Sequence, residues 1–386
     1  MNNSIYLSLK KLSFLLLISL LVACSHSSEK GYYSSFIPGE LWFDTDSVHI
    51  NAHGGGILFH EGVYYWFGEF KTAGRGGNTA LVGVQVYSST DLYNWKNEGT
   101  ALEVVDVVGH DIERGSVIER PKVLYNKKTG KFVMWFHLEL KGQGYSAART
   151  AVAVADHVTG PYVFIESLRP NAGHWPMNFE QEFKELTETI DDYEWWTPDW
   201  EEAVHKGLFI RRDFEGGQMA RDMTLFLDDD GTAYHIFSSE ENLTLHIAEL
   251  SEDFLSHTGR YTRIFPVGHN EAPAVFKHNG LYYMIASGCT GWEPNAARSF
   301  VAEDVFGPWT ALGNPCVGAG AEITFESQST FVLPVQGKEG AFIYMGDRWR
   351  PRNPIDGRYV WLPIVFKNDR PIIEWYDEWD LSIFDK

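Results

Sequence analysis

Cysteine is scarce, with three residues in a chain of 386. No second Cys or His stands at ligand spacing around Cys289 or Cys316, so neither makes a metal site. There is no phosphate-cradling glycine loop and no nucleophilic Ser or Cys constellation, so no cofactor is required. Basic residues are the minority, 32 Lys and Arg against 52 Asp and Glu, for a formal charge of −20. That balance disfavours nucleic acid and acidic lipid surfaces and favours neutral ligands. The long apolar run, Leu12 to Val22 behind Lys10 and Lys11, is too short for a comfortable permanent span. Residues 1–23 therefore read as a signal peptide. The run ends in Leu21-Val22-Ala23-Cys24, the pattern of bacterial lipoproteins, which makes Cys24 the lipidated first residue and residues 24–37 its tether. The expected location is the bacterial envelope, at the outer membrane, periplasmic or surface-facing, with the lipid as the sole membrane contact. In an oxidising compartment the remaining Cys289 and Cys316 are expected to pair as one disulfide, the alternative being two buried free thiols.

Aromatic residues, by contrast, are abundant: 15% of the chain, with 14 Trp. Most must be core, but aromatic rings also stack on the apolar faces of sugars. After residue 50 a hairpin unit recurs about five times, beginning at Gly54, Pro121, Met223, Ala272 and Ser329. Most copies are followed by two further strands. Units of roughly 50 residues, each a four-stranded sheet unable to bury both faces alone, predict an all-β fold, a single five-bladed β-propeller over residues 38–386. A β-sandwich competes, but the repeat length argues against it. A long aromatic insertion, about residues 171–217, interrupts the second and third blades and carries Trp175, Trp195, Trp196 and Trp200. It is expected to fold over the substrate face, with a short helix over residues 179–186. The protein is expected to be a monomer.

In a propeller the first strand of each blade lines the axis, so residues just before those strands converge. The repeat selects His53, Glu119, Asp222, Glu271 and Gln328. Glycoside hydrolysis needs a protonated carboxyl group for the leaving oxygen and, for inversion, a base that activates water. Carboxylates crowded in an aromatic pocket have raised pKa values, as a general acid requires. Glu271, in Asn270-Glu271-Ala272-Pro273, is the first choice. His53 can accept a proton, although a packing role is the commoner one.

Together the phrases NAHGGGI (51–57), YYWFGE (64–69), ERPKV (119–123), EAPAVFKHNG (271–280), SGCTGWEPN (287–295), SQSTFVLP (327–334) and GDRWRP (346–351) resemble glycoside hydrolase family 43. The branch they resemble is that of the exo-β-1,3-galactanases, over nearly all of residues 38–384. The resemblance implies a five-bladed propeller, an inverting mechanism, Glu271 as general acid and Asp222 as its orienter and pKa modulator. Most of the family carries an Asp base in an Ala-Asp-Pro phrase where this chain has Ala52-His53-Gly54. The branch shares that departure, which leaves Glu119 or Gln328 as base or water-positioning residue. Gln328 is a neutral amide and a poor proton acceptor. Glu119 is the simpler base, unless Arg120 beside it claims it as an ion pair. Glu69, Tyr145, Trp292, Arg348 and Trp349 match sugar-contacting positions, with His53 nearby; Arg348 and Trp349 could equally anchor the last blade. The implied activity is exo-release of galactose from β-1,3-galactan or a plant-type arabinogalactan. The alternatives are an α-L-arabinofuranosidase or galactofuranosidase, and a catalytically silent polysaccharide-binding lipoprotein. A structural Ca²⁺ at the axis is compatible with the resemblance.

Overall fold

The structure, a computed structural model, describes residues 32–385. The signal segment and Cys24 lie outside the described residues. Among the described residues no helix is long and apolar enough to cross a membrane. Five sheets follow one another along the chain. Blade one runs from His53 to Glu103, blade two from Val117 to Leu168, blade three from Met223 to Ile264 and blade four from Asn270 to Gly313. Each of these is a four-stranded antiparallel meander whose first strand is innermost. Blade five starts its inner strand at Gln328 and is widened by a short strand, Cys316–Val317, paired parallel to Arg370–Glu374 at its outer edge.

Neighbouring inner strands touch around the full ring, blade five against blade one included. Strands inside a blade are buried on both faces; Lys131–Glu139 is buried from Phe132 onward. This explains why they read as continuous apolar runs rather than as alternating ones. The blade interfaces hold separate apolar clusters, such as Phe67, Val86, Met134 and Phe136 between blades one and two. The last interface is the most aromatic. There Trp66, Trp95 and Trp361 pack with Phe36 and Trp379. Phe36 forms a β-bridge with Trp379, their rings stacked at 4.4 Å, so the two ends of the described chain latch together across blades five and one.

Two local features position the site. First, the inner strands of blades one, two, four and five each begin with a bulge, after His53, Glu119, Glu271 and Ser329. In three of them the residue after the axial one has positive φ: Gly54 at 60°, Arg120 at 56° and Ala272 at 51°. Bulges re-aim side chains, and here they turn Glu119 and Glu271 toward the axis, whereas the one after His53 sends its ring into the blade interface. Gly54 has a steric reason besides, since a Cβ there would lie 2.1 Å from Glu69 Oε1. Second, because every inner strand starts at one end of the ring, the connections between second and third strands emerge at that same end. So does the connection between blades two and three.

That connection is the insertion. It forms helices at Gln181–Lys184, Pro198–His205 and Leu208–Arg212, so the expected helix shrinks to one turn and two further helices replace extended chain. Thr197 caps the middle helix by accepting from Trp200 N, with Pro198 at the first helical position. Trp200, Val204, Leu208 and Phe209 make the insertion's own core. It docks on the outer strand of blade three, where Arg263 donates to the carbonyls of Val204 and His205.

Candidate active site

A cavity of about 500 Å³ opens at that end of the ring. Its lining comes from two sets of positions. The starts of the inner strands supply Glu119, Asp222, Glu271 and Gln328. The loops between second and third strands supply Arg75, Asn78, Tyr145, Asn242, Cys289, Trp292 and Trp349, while Glu69 closes a second strand. Of the residues expected from sequence, these eight reach the cavity: Glu69, Glu119, Tyr145, Asp222, Glu271, Trp292, Gln328 and Trp349.

Two do not. His53 is 1% exposed, its ring packed between Trp349 and Tyr359 with both nitrogens unpartnered. Burial pushes its pKa down to about 3. It is a neutral packing histidine, because the bulge at Gly54 turns the strand so that the ring enters the blade interface. Arg348 lines an adjoining cavity of about 280 Å³. Its guanidinium donates to Phe325 O and lies against Gly39, which makes it an anchor of blade five. The expected disulfide is also absent. Cys289 and Cys316 are free thiols, one exposed beside Glu271 and the other buried in the core between blades four and five. The insertion contributes no residue to the cavity lining, so it flanks the substrate face instead of covering it.

Glu271 Oε1 accepts from Asn242 Nδ2 at 2.8 Å and from the Cys289 thiol at 3.1 Å. Burial, reinforced by the charge of Asp222, raises its pKa to about 7. Asp222 pairs with Arg120 Nη2 at 2.8 Å. The same Nη2 donates to Gln328 Oε1 at 2.7 Å, and Trp349 Nε1 donates to that oxygen at 3.0 Å. Two donors on one atom identify it as the amide oxygen and use both its lone pairs. The Gln328 amide nitrogen donates to Ser287 Oγ at 3.0 Å, leaving one N–H free.

Glu119 does not pair with Arg120. Its Oε1 accepts from Tyr145 Oη at 2.8 Å and Asn78 Nδ2 at 3.1 Å, and its Oε2 meets His137 Nδ1 at 3.1 Å. The other nitrogen of His137 meets buried Glu139 at 2.9 Å. Burial opposes charge on His137, yet the two carboxylates raise its pKa to about 9. Burial likewise opposes charge on Glu119, but the His137 imidazolium and Lys71 outweigh it and hold the carboxyl well below the usual range. Behind them Glu69 and Lys71 form a buried ion pair.

Ligand atoms of Glu119, His137 and Asp222 lie within 4.8 Å of one another. They do not suit a metal ion, since both His137 nitrogens carry protons to carboxylates and Asp222 is taken by Arg120. Nor does the inner ring suit Ca²⁺, which wants six to eight oxygen ligands. Buried Lys122 donates to Gly54 O at 2.8 Å there, beside Arg120, so an amine and a guanidinium occupy the ground the ion would need.

The model of Glycosyl hydrolases family 43 matches residues 198–362. A solved family-43 β-1,3-galactosidase, with galactodeoxynojirimycin, is 58% identical, covering 90% of this chain and 100% of that one at a TM-score of 0.88. The exo-β-1,3-galactanase of Phanerochaete chrysosporium, solved with β-1,3-galactotriose, is 32% identical over 90% of this chain and 68% of that one, TM-score 0.72. The β-D-galactofuranosidase of Aspergillus niger is 36% identical over 110 residues, 26% of this chain; the chain spans about a third of that curated relative, 32% of its length.

Proposed function

This chain belongs to glycosyl hydrolase family 43, and from that premise we propose that it is an exo-acting, inverting glycoside hydrolase releasing galactose from β-1,3-galactan or arabinogalactan. The observation that carries the reading is one cavity holding a Glu271 that is half protonated near neutrality and, two blades round the ring, an ionised Glu119. In a five-membered ring, two blades apart is across the axis, which is where inversion places its acid and base.

Glu271 donates its proton to the leaving oxygen as the glycosidic bond breaks, and water attacks the anomeric carbon from the opposite face. Asp222, held by Arg120, disfavours ionisation of Glu271 and so keeps the proton in place. Glu119 takes the proton of the attacking water. Gln328 is unsuited to that step, because its oxygen already faces two donors and an imidic tautomer would aim an O–H at them. Its free N–H can hold the water. Trp292 and Trp349, edge to face at 5.7 Å, offer the rim on which a sugar ring stacks.

The test is product release from β-1,3-galactan, arabinogalactan and the p-nitrophenyl β-galactoside, arabinofuranoside and galactofuranoside, with wild type and Glu271→Gln. Galactose from galactan, lost in the variant, supports the reading. Activity confined to furanosides would move it to an arabinofuranosidase or a galactofuranosidase, the second being the activity of the Aspergillus relative. Binding without turnover would make the protein a silent polysaccharide binder. The Leu21–Cys24 phrase supports a lipid-anchored protein of the bacterial envelope, testable by labelling with radioactive palmitate in wild type and Cys24→Ser.

A further inference from the structure

We propose that the insertion carries a second saccharide-binding platform, formed by Trp195 and Trp196, for a neutral galactan segment that extends beyond the catalytic cavity. The inference rests on the glycosidase reading above and deepens it.

Trp195 and Trp196 are 42% and 63% exposed, although the core of their own subdomain lies directly beneath them. Each packs at 5.0 Å on fully buried Trp200. Trp196 stacks on His269 at 5.4 Å with the rings 22° apart. Its backbone has φ of 67°, a left-handed conformation that a bulky side chain adopts only under strain. The strain falls immediately before the Thr197 helix cap and turns the indole outward. Fixed, outward-facing indoles on a buried aromatic base are a built surface, and exposed aromatic patches of this kind mark binding sites.

Chain topology places the patch near the cavity. The insertion leaves the ring at the end where the inner strands begin. Leu243, in the same apolar cluster as Trp200, follows Asn242, the donor to Glu271. His269, under Trp196, precedes Glu271 by two residues, at most about 7 Å of extended chain. A polymer whose end occupies the cavity therefore has the platform within a few sugar rings. The exposed carboxylates of Glu194, Asp199 and Glu201 beside it can accept sugar hydroxyls and repel acidic polymers. Together these features select a neutral glycan.

The test compares kcat/KM on long β-1,3-galactan with that on p-nitrophenyl β-galactoside for wild type, Trp195→Ala, Trp196→Ala, the double variant and Trp196→Phe. The polymer-to-short-substrate ratio should fall roughly tenfold in the double variant, through KM, if each ring contributes an ordinary aromatic contact. Trp196→Phe should restore most of what Trp196→Ala loses. An unchanged ratio, or an equal fall on both substrates, would overturn the proposal. Should wild type cleave neither substrate, the enzymatic reading has failed, and retardation in native gels containing soluble arabinogalactan decides the platform. Retardation lost in the double variant would support it; no retardation, or retardation kept, would refute it.

Discussion

Two donors converge on Glu271 Oε1, so the acid's proton resides on Oε2, the oxygen left free for the leaving group. With a pKa of about 7 the acid form is lost as pH rises through neutrality, and kcat/KM should fall above it. Glu271→Gln should cost about 10² to 10⁴ in rate on substrates whose leaving group needs protonation. The Cys289 hydrogen bond lowers the Glu271 pKa, so Cys289→Ala should carry the alkaline limb to higher pH, as a pH–rate profile would show. His137→Gln removes the cation that holds Glu119 ionised, so the acid limb should move upward. Stability follows the same pair with opposite signs. His137, raised from 6.5 to about 9, contributes fully below pH 6.5, and its contribution is lost as pH rises through 9. Glu119, lowered from 4.5, contributes above that value and loses its contribution as pH falls. Urea midpoints across pH should trace both. The axial acids were legible because they share a repeat position. Asn242, His137 and Arg120 were not singled out as cavity residues, and Cys289 was read only as a disulfide partner: Asn242 and Cys289 sit on loops whose spacing varies between blades, His137 looks like one more residue of a buried strand, and Arg120 was visible only as a neighbour of Glu119.

Blades were legible as elements because each carries the same hairpin followed by two strands, and a sheet sandwiched between neighbours reads as an apolar run. The loops between second and third strands, which build half the cavity, follow no pattern that periodicity detects. In the insertion a helix signal was present and outweighed: Thr197-Pro198-Asp199 is a cap, a first-turn proline and an acidic first turn, hidden by the tryptophans around it. Thr197→Ala should cost about 1 kcal/mol of local stability, seen as faster amide exchange in Pro198–His205 with the ring unaffected. Spacing alone carried no information on cysteine pairing. Cys289 belongs to a cavity loop and Cys316 to an outer strand, and the fold holds each against other partners.

For the molecule as a whole, a charge of −20 should make turnover of neutral galactan insensitive to salt. Uronate-bearing polymers should be cut poorly at low ionic strength, with the gap closing as salt screens the repulsion. Parallel assays at 10 and 300 mM NaCl would check this. Among the described residues no strand from one end of the chain completes the sheet of the other, and the ring is closed by side-chain packing together with the Phe36–Trp379 bridge. Trp379→Ala should remove about 3 to 5 kcal/mol, read as a lowered thermal midpoint. The stacked Phe36–Trp379 pair thus acts as a clasp in the mechanical sense. A load drawn through the N-terminal side of the chain meets the hydrogen bonds between Tyr33 and Asn94 before it reaches Phe36, so an early event under tension is the opening of a buckle, and a propeller held shut there would resist shear between blades while yielding to a peel from its own end.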